Sequence, residues 1–249
     1  MSGRLTTCVF GGGGQVRLSA ARPVTNSTSA NEARSDLLRW ISRCGRDAGD
    51  LAEVGILLYD DVEVLDCCGP FEVFTTAARV ALRRGWPTAP FHVHTIATGD
   101  GRVVARGGLR IMASSTLHDH PPLDLLIVPG GLQQEAERDE GLITWLAKTA
   151  GEASITASVC TGAFLLATAG LLDGRHATSH WEDVDELERR FPQVRVRRQA
   201  RWVDEGAVVT SAGISAGIDM SLHIVRRQEG EELARATARQ MEYEWDGRP

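Results

Sequence analysis

The stretch SITASVCTGAFLLATAGLL, from Ser154 to Leu172, decides how the chain is read. Its first six residues mix small and β-branched side chains, the composition of a buried strand, and from Ala163 the apolar residues recur at helical spacing. A single thiol, Cys160, stands at the junction. A strand that turns sharply into a helix lifts the residue at the turn above the carboxyl edge of the sheet, where open α/β folds bind ligands. The helix behind it offers partial positive charge and free N–H groups, which favour thiolate over thiol. Thr161 and Gly162 leave room around the sulfur, as a nucleophile elbow requires. Two readings of Cys160 stand at this point: an activated nucleophile, or a small buried hydrophobe of the kind most free cysteines are.

Outward from this stretch the same alternation repeats. Upstream, VGILLY from Val54 reads as a buried strand, PFEVFTTAARVALRR from Pro70 as a helix, and FHVHTIA as a strand. LDLLIVPGG is a further buried strand ending in paired glycines, and EGLITWLAKTAGE is the helix that leads to Ser154. Downstream come a helix to about Ala169, a turn at Gly174, a short ATSH strand and a helix over EDVDELERRF. RWVDEGAVVTSA reads as two strands joined around Glu205 and Gly206, and IDMSLHIVRRQ and EELARATARQME as closing helices. This rhythm predicts an α/β fold whose mostly parallel strands carry helices on both faces.

The chain of 249 residues, 43% hydrophobic, is long enough to bury a full core. Its formal net charge of -6 argues against an electrostatic grip on nucleic acid, so a small-molecule substrate is expected as partner and nucleic acid is not. No apolar run reaches the roughly 18 to 20 residues that span a bilayer, and no signal-peptide layout opens the chain; a cytoplasmic protein without membrane partners is expected. Five cysteines, two of them adjacent at Cys67 and Cys68, make a poor disulfide framework and point to reduced thiols. Residues 1–50 hold a four-glycine run, Gly11 to Gly14, and a helical pattern from Ser35 to Cys44. They are expected to form a poorly ordered extension ahead of a single domain over residues 51–249, the glycine run lacking the Gly-Lys-Ser/Thr of a phosphate loop.

A nucleophile needs a proton partner and an anion site. Asp66, in DDVEVLDCCGPFEVF, follows the first strand and precedes the Gly69-Pro70 break. Beside a thiolate in a dry cleft its carboxyl would keep its proton and act as an acid; alternatively it caps the helix that follows. The glycines of Val128-Pro129-Gly130-Gly131 allow backbone N–H groups close to a ligand, and the N–H groups of Gly131 and Thr161 are candidates for an oxyanion-type cradle, a plain turn being the alternative. His92 and His94 in FHVH, and His118 and His120 in LHDH, raise the question of a metal site. In a strand both rings of His-x-His point the same way, but no third ligand is apparent from sequence, so surface or core histidines are expected. Asp219 is expected in the first turn of a helix as a structural carboxylate.

Taken together, LDCCGPFEVF, LLIVPGG, SVCTGAFLLATAGLLDGRHATSHW and TSAGISAGIDMSLHIV resemble the DJ-1/PfpI superfamily, also called ThiJ-like or class I glutamine amidotransferase-like. The resemblance spans about residues 52 to 245 and is nearest to the isonitrile hydratase branch and to sensor domains fused to AraC-type regulators. It implies a flavodoxin-like sandwich with a nucleophile elbow. It also implies that Cys160 is the nucleophile, that Asp66 shares a proton with it, and that Thr161 contacts the reacting group through backbone and hydroxyl. His180 matches a histidine near the cysteine in several members, as general base or as structural support. The implied reaction is hydration of an isonitrile to an N-substituted formamide, with neither metal nor organic cofactor, in a homodimer; the alternative is a non-catalytic ligand or redox sensor. Protease-like members carry His after the nucleophile, where this chain has Thr161, which weighs against a peptidase reading. AraC-type regulators continue into a helix-turn-helix domain, and with the chain ending at Pro249 that half is not expected here.

Overall fold

The computed structural model describes residues 51–249; residues 1–50, with the glycine run and the Ser35–Cys44 pattern, lie outside the described residues. In chain order the elements are β1 (Ala52–Leu58), α1 (Val64–Arg83), β2 (Phe91–Ala97), β3 (Arg102–Val104), β4 (Arg110–Met112), β5 (Ser115–Thr116) and β6 (Leu125–Val128). There follow α2 (Gln134–Arg138), α3 (Glu140–Glu152), β7 (Ile155–Val159), α4 (Gly162–Thr168), β8 (His176–Ala177), α5 (Val184–Arg190) and β9 (Arg195–Val196). The chain closes with β10 (Trp202–Asp204), β11 (Val208–Ser211), α6 (Ala216–Glu229) and α7 (Glu231–Gln240).

One sheet runs in the order β10-β11-β7-β6-β1-β2-β5. Every neighbouring pair in it is parallel except β10 with β11, an antiparallel hairpin at one edge. Helices α1, α6 and α7 pack together, as do α2, α3 and α4, giving a layer on either face. This is the flavodoxin-like α/β sandwich that the sequence predicts. Strands covered on both faces have no polar side to alternate with. All of Leu125–Val128 and of Ile155–Val159 is accordingly buried, and the sequence there reads as unbroken apolar or small residues. Because β1 turns to β2 on one side while β6 returns on its other side, the topology has a switch point between β1 and β6, where the crevice above the carboxyl edge opens.

Three local expectations change. Helix α1 begins at Val64 rather than Pro70, so Asp66 lies in its first turn and Pro70 lies inside it. A proline there removes one N–H donor, that to the Asp66 carbonyl, which a helix packed along its length against the sheet tolerates. The ATSH strand shrinks to His176–Ala177, paired with Arg195–Val196 in a separate two-stranded ribbon. The β3–β4 hairpin, only three residues a side, has no counterpart in the sequence reading because its strands are too short to show a period. Asp219 does fall in the first turn of α6, and it is held there by the Arg201 guanidinium and the Tyr243 hydroxyl. Among the described residues no helix is long and apolar enough to cross a membrane.

Helix α6 comes close to the sheet at Gly217, where an added Cβ would lie 2.8 Å from Val159 Cγ1. Overpacking of this kind costs about 1–3 kcal/mol. Gly217→Ala is therefore expected to lower the unfolding free energy by that amount in urea denaturation, and an unchanged midpoint would show that the helix rides further from the sheet.

Candidate active site

Cys160 is the turn between β7 and α4, and its φ of +56° is left-handed, a conformation that side-chain-bearing residues rarely adopt. The surroundings hold it there. Its N–H donates to the carbonyls of Ser211 and Ala212, both at 3.2 Å, and its carbonyl accepts the Ser179 hydroxyl at 2.9 Å. Gly162 completes the elbow, since a Cβ there would stand 2.1 Å from the Val128 carbonyl oxygen.

Asp66 reaches the same place from α1. Its side chain is fully buried; Oδ2 accepts the Gly130 N–H at 3.0 Å, and Oδ1 has no hydrogen-bond partner among the described residues. Gly130 is wedged between the two site elements, so that a Cβ would come within 2.6 Å of Thr161 N and 3.0 Å of Asp66 Oδ2. Tyr59 lies beneath, its hydroxyl donating to the Pro129 carbonyl at 3.0 Å.

The expected cradle of Gly131 and Thr161 changes in one member. The Gly131 N–H donates to Thr161 Oγ1 at 2.9 Å, and the Thr161 hydroxyl donates back to the Gly131 carbonyl at 3.0 Å. Each satisfies the other, so neither that N–H nor the hydroxyl is turned toward a reacting group. The backbone donors at the Cys160 sulfur are Thr161 and Ile214. Ile214 was not legible as a site residue: only its N–H matters, presented by a left-handed φ of +47° in the loop after β11. The adjoining Gly213 was the available signal. A Cβ on it would sit 2.1 Å from His180 Cδ2, which places the His180 ring as a support of that loop. His180 Nδ1 accepts the Glu182 N–H at 3.4 Å and lies 3.5 Å from Asp183 Oδ2.

Burial dominates the electrostatics. It pushes Asp66 up to about 7, with the Gly130 N–H opposing, the Glu63 charge adding and the Cys160 thiol opposing. It also pushes the Cys160 thiol up to about 12, the Asp66 charge adding and the Thr161 and Ile214 N–H groups opposing. The expectation that the helix terminus favours a thiolate is thus corrected: α4 has seven residues, and its donors do not outweigh desolvation of the sulfur. At rest the thiol keeps its proton. Cys67 is turned into the core, donating to the Val64 carbonyl at 3.1 Å, while Cys68 is exposed.

The DJ-1/PfpI family profile matches residues 52–227. The chain belongs to the DJ-1/PfpI family. It is 32% identical to the isonitrile hydratase of Pseudomonas putida over 192 residues, 77% of this chain and 78% of that one. It is 31% identical to the HTH-type transcriptional regulator GbdR of Pseudomonas aeruginosa over 193 residues, 77% of this chain but 50% of the regulator. Among solved structures, a ThiJ/PfpI family protein from Pseudomonas syringae superposes with a TM-score of 0.68 at 28% identity, covering 78% of this chain and 76% of that one. The exclusion of nucleic acid does not stand, because a DJ-1/PfpI relative is a transcriptional regulator of which this chain spans half. Net charge describes one domain's surface, and neither it nor the position of Pro249 decides the partners of a family found in such regulators.

The Asp66 shift has a sign that can be measured. Unfolded, the carboxyl titrates near its ordinary 3.8; folded, near 7, so the folded state holds the proton more tightly. That contribution to stability is complete below about pH 4 and is lost as pH rises through 7. Asp66→Asn, which keeps the acceptor for Gly130, is expected to gain stability on wild type across this window, by on the order of 4 kcal/mol at pH 8. Melting curves that stay parallel from pH 4 to 8 would contradict it.

Proposed function

We propose that this DJ-1/PfpI protein is a cysteine-dependent, cofactor-free enzyme that hydrates an isonitrile, or a similarly small electrophile, through Cys160 and Asp66. The observation that carries the reading is the fully buried Asp66 carboxyl, its Oδ1 unpartnered, set beside the thiol of a left-handed elbow. With Asp66 titrating near 7, a proton is available next to the sulfur at neutral pH. Cys160 sulfur bonds to the terminal isonitrile carbon as Asp66 gives its proton to that carbon and takes the thiol proton in return. The product is a thioimidate, R–N=CH–S–Cys160. Water adds to the same carbon, the C–S bond breaks with return of a proton to sulfur, and R–NH–CHO leaves. The sum is isonitrile plus water to N-substituted formamide. The N–H groups of Thr161 and Ile214 steady charge on the sulfur as it detaches.

The described cysteines, Cys67, Cys68 and Cys160, are free thiols, in keeping with a cytoplasmic setting. The likeness to the isonitrile hydratase supports the reaction. The likeness to the transcriptional regulator GbdR supports a second reading, in which the cleft serves a sensor rather than a catalyst, either by binding a ligand or through peroxide oxidation of Cys160 to a sulfinate that protonated Asp66 would stabilise.

Turnover of cyclohexyl isonitrile to its formamide separates the two. Wild type is expected to turn over, and Cys160→Ser and Asp66→Asn to lose at least about a thousandfold in kcat/KM. The wild-type rate is expected to fall as pH rises through about 7, where Asp66 gives up its proton. No turnover by folded wild type, with mass spectrometry after peroxide showing two oxygens on Cys160, would transfer the assignment to the sensor.

A further inference from the structure

His92 and His94 alternate along β2, so both rings leave the same face of the sheet. The third ligand that the sequence did not reveal comes from the neighbouring strand. β1 pairs with β2 in a register that sets Glu53 opposite His92, and Glu53 stands 41 residues upstream of His94. Its Oε2 lies 2.6 Å from His94 Nε2 and 3.1 Å from His92 Nδ1, and the two imidazoles meet edge to face with centroids 4.4 Å apart. The three ligand atoms lie within 4.8 Å of one another. Ligand atoms of a tetrahedral zinc stand about 3.3 Å apart, given metal–ligand bonds of about 2.0–2.1 Å. Metal binding would have to open the 2.6 Å contact of Glu53 Oε2 with His94 Nε2 to about that separation. The Glu53 backbone is itself tied down, its N–H donating to Asp124 Oδ2 at 2.9 Å.

We propose that Glu53, His92 and His94 bind one divalent transition-metal ion, zinc in the first place, with water completing its coordination. Two imidazoles and a carboxylate suit zinc, cobalt, nickel and copper, whereas calcium and magnesium take oxygen ligands throughout. Access is open on one side, where the His92 side chain is 60% exposed, and the other two ligands are more sheltered, Glu53 at 26% and His94 at 14%. The second histidine pair of the sequence does not compete: His120 has one ring nitrogen against the Pro121 carbonyl at 2.7 Å and the other accepting the Trp145 N–H at 3.0 Å. The site stands at the amino end of β1 and Cys160 stands above the carboxyl end of the sheet, so the ion is separate from the thiol chemistry. Its effect is to clamp β1 to β2.

The test uses the full chain, stripped with a chelator and titrated with Co(II) and with Zn(II). One equivalent of cobalt is expected, giving visible d–d bands without the near-ultraviolet thiolate-to-cobalt band that ligation by any of the five cysteines would produce. His92→Ala, at the most exposed ligand, and Glu53→Gln are each expected to weaken zinc binding at least about tenfold while the metal-free proteins melt as cooperatively as wild type. Zinc is expected to raise the melting temperature of wild type and not of the variants. Absence of binding at millimolar metal, a thiolate band, or affinity unchanged in both variants would each overturn the assignment.

Discussion

The candidate site depends on a steric allowance at one position. The chain can reverse from β7 into α4 through a left-handed cysteine only because residue 162 has no side chain, its Cα hydrogen facing the Val128 carbonyl where a methyl group would be 2.1 Å away. A non-glycine residue in that backbone region costs on the order of 1–3 kcal/mol unless its surroundings impose it. Here the surroundings are the end of β11, whose carbonyls at Ser211 and Ala212 take the Cys160 N–H, and the Ser179 hydroxyl on the far side. Three separate segments thus fix one sulfur. The same closeness brings Pro129-Gly130-Gly131 against Thr161 and sets the Gly130 N–H on Asp66.

Once the groups are gathered, burial governs their charge. Removing a thiol and a carboxyl from water disfavours the ionised form of each, and both are pushed upward by similar amounts. A thiolate in this cleft would be formed during reaction rather than stored. The distinction matters for reading elbows from sequence, because a helix start behind a cysteine supplies donors but says nothing of how much water the fold removes.

The α/β layering was legible because strands buried on both faces write themselves as apolar runs, and LLIV and ITASV admit little else. FHVHTIA and EGLITWLAKTAGE coincide with their elements, bounded by proline and glycine or by the Asp139 cap. Helix α1 was misplaced at its start since Pro70 imitates a first-turn proline while packing against the sheet outweighs the lost bond. Cys160 and Asp66 were visible as residue types at strand ends. Ile214 was not, because a backbone N–H carries no residue signature, and Glu53 was not, because strand pairing rather than spacing brings it to His92.

Thr161 and Gly131 satisfy each other's hydrogen bonds across the gap between two loops, like a rivet through two plates. Fixing a backbone residue costs about 1–2 kcal/mol, and in this protein that ordering is charged to folding. A guest molecule therefore meets walls that are already set, and discrimination among guests falls to the side chains around the mouth. Those can be exchanged without disturbing the sulfur. One scaffold can in this way serve catalysts and receptors alike, with the difference written at its rim.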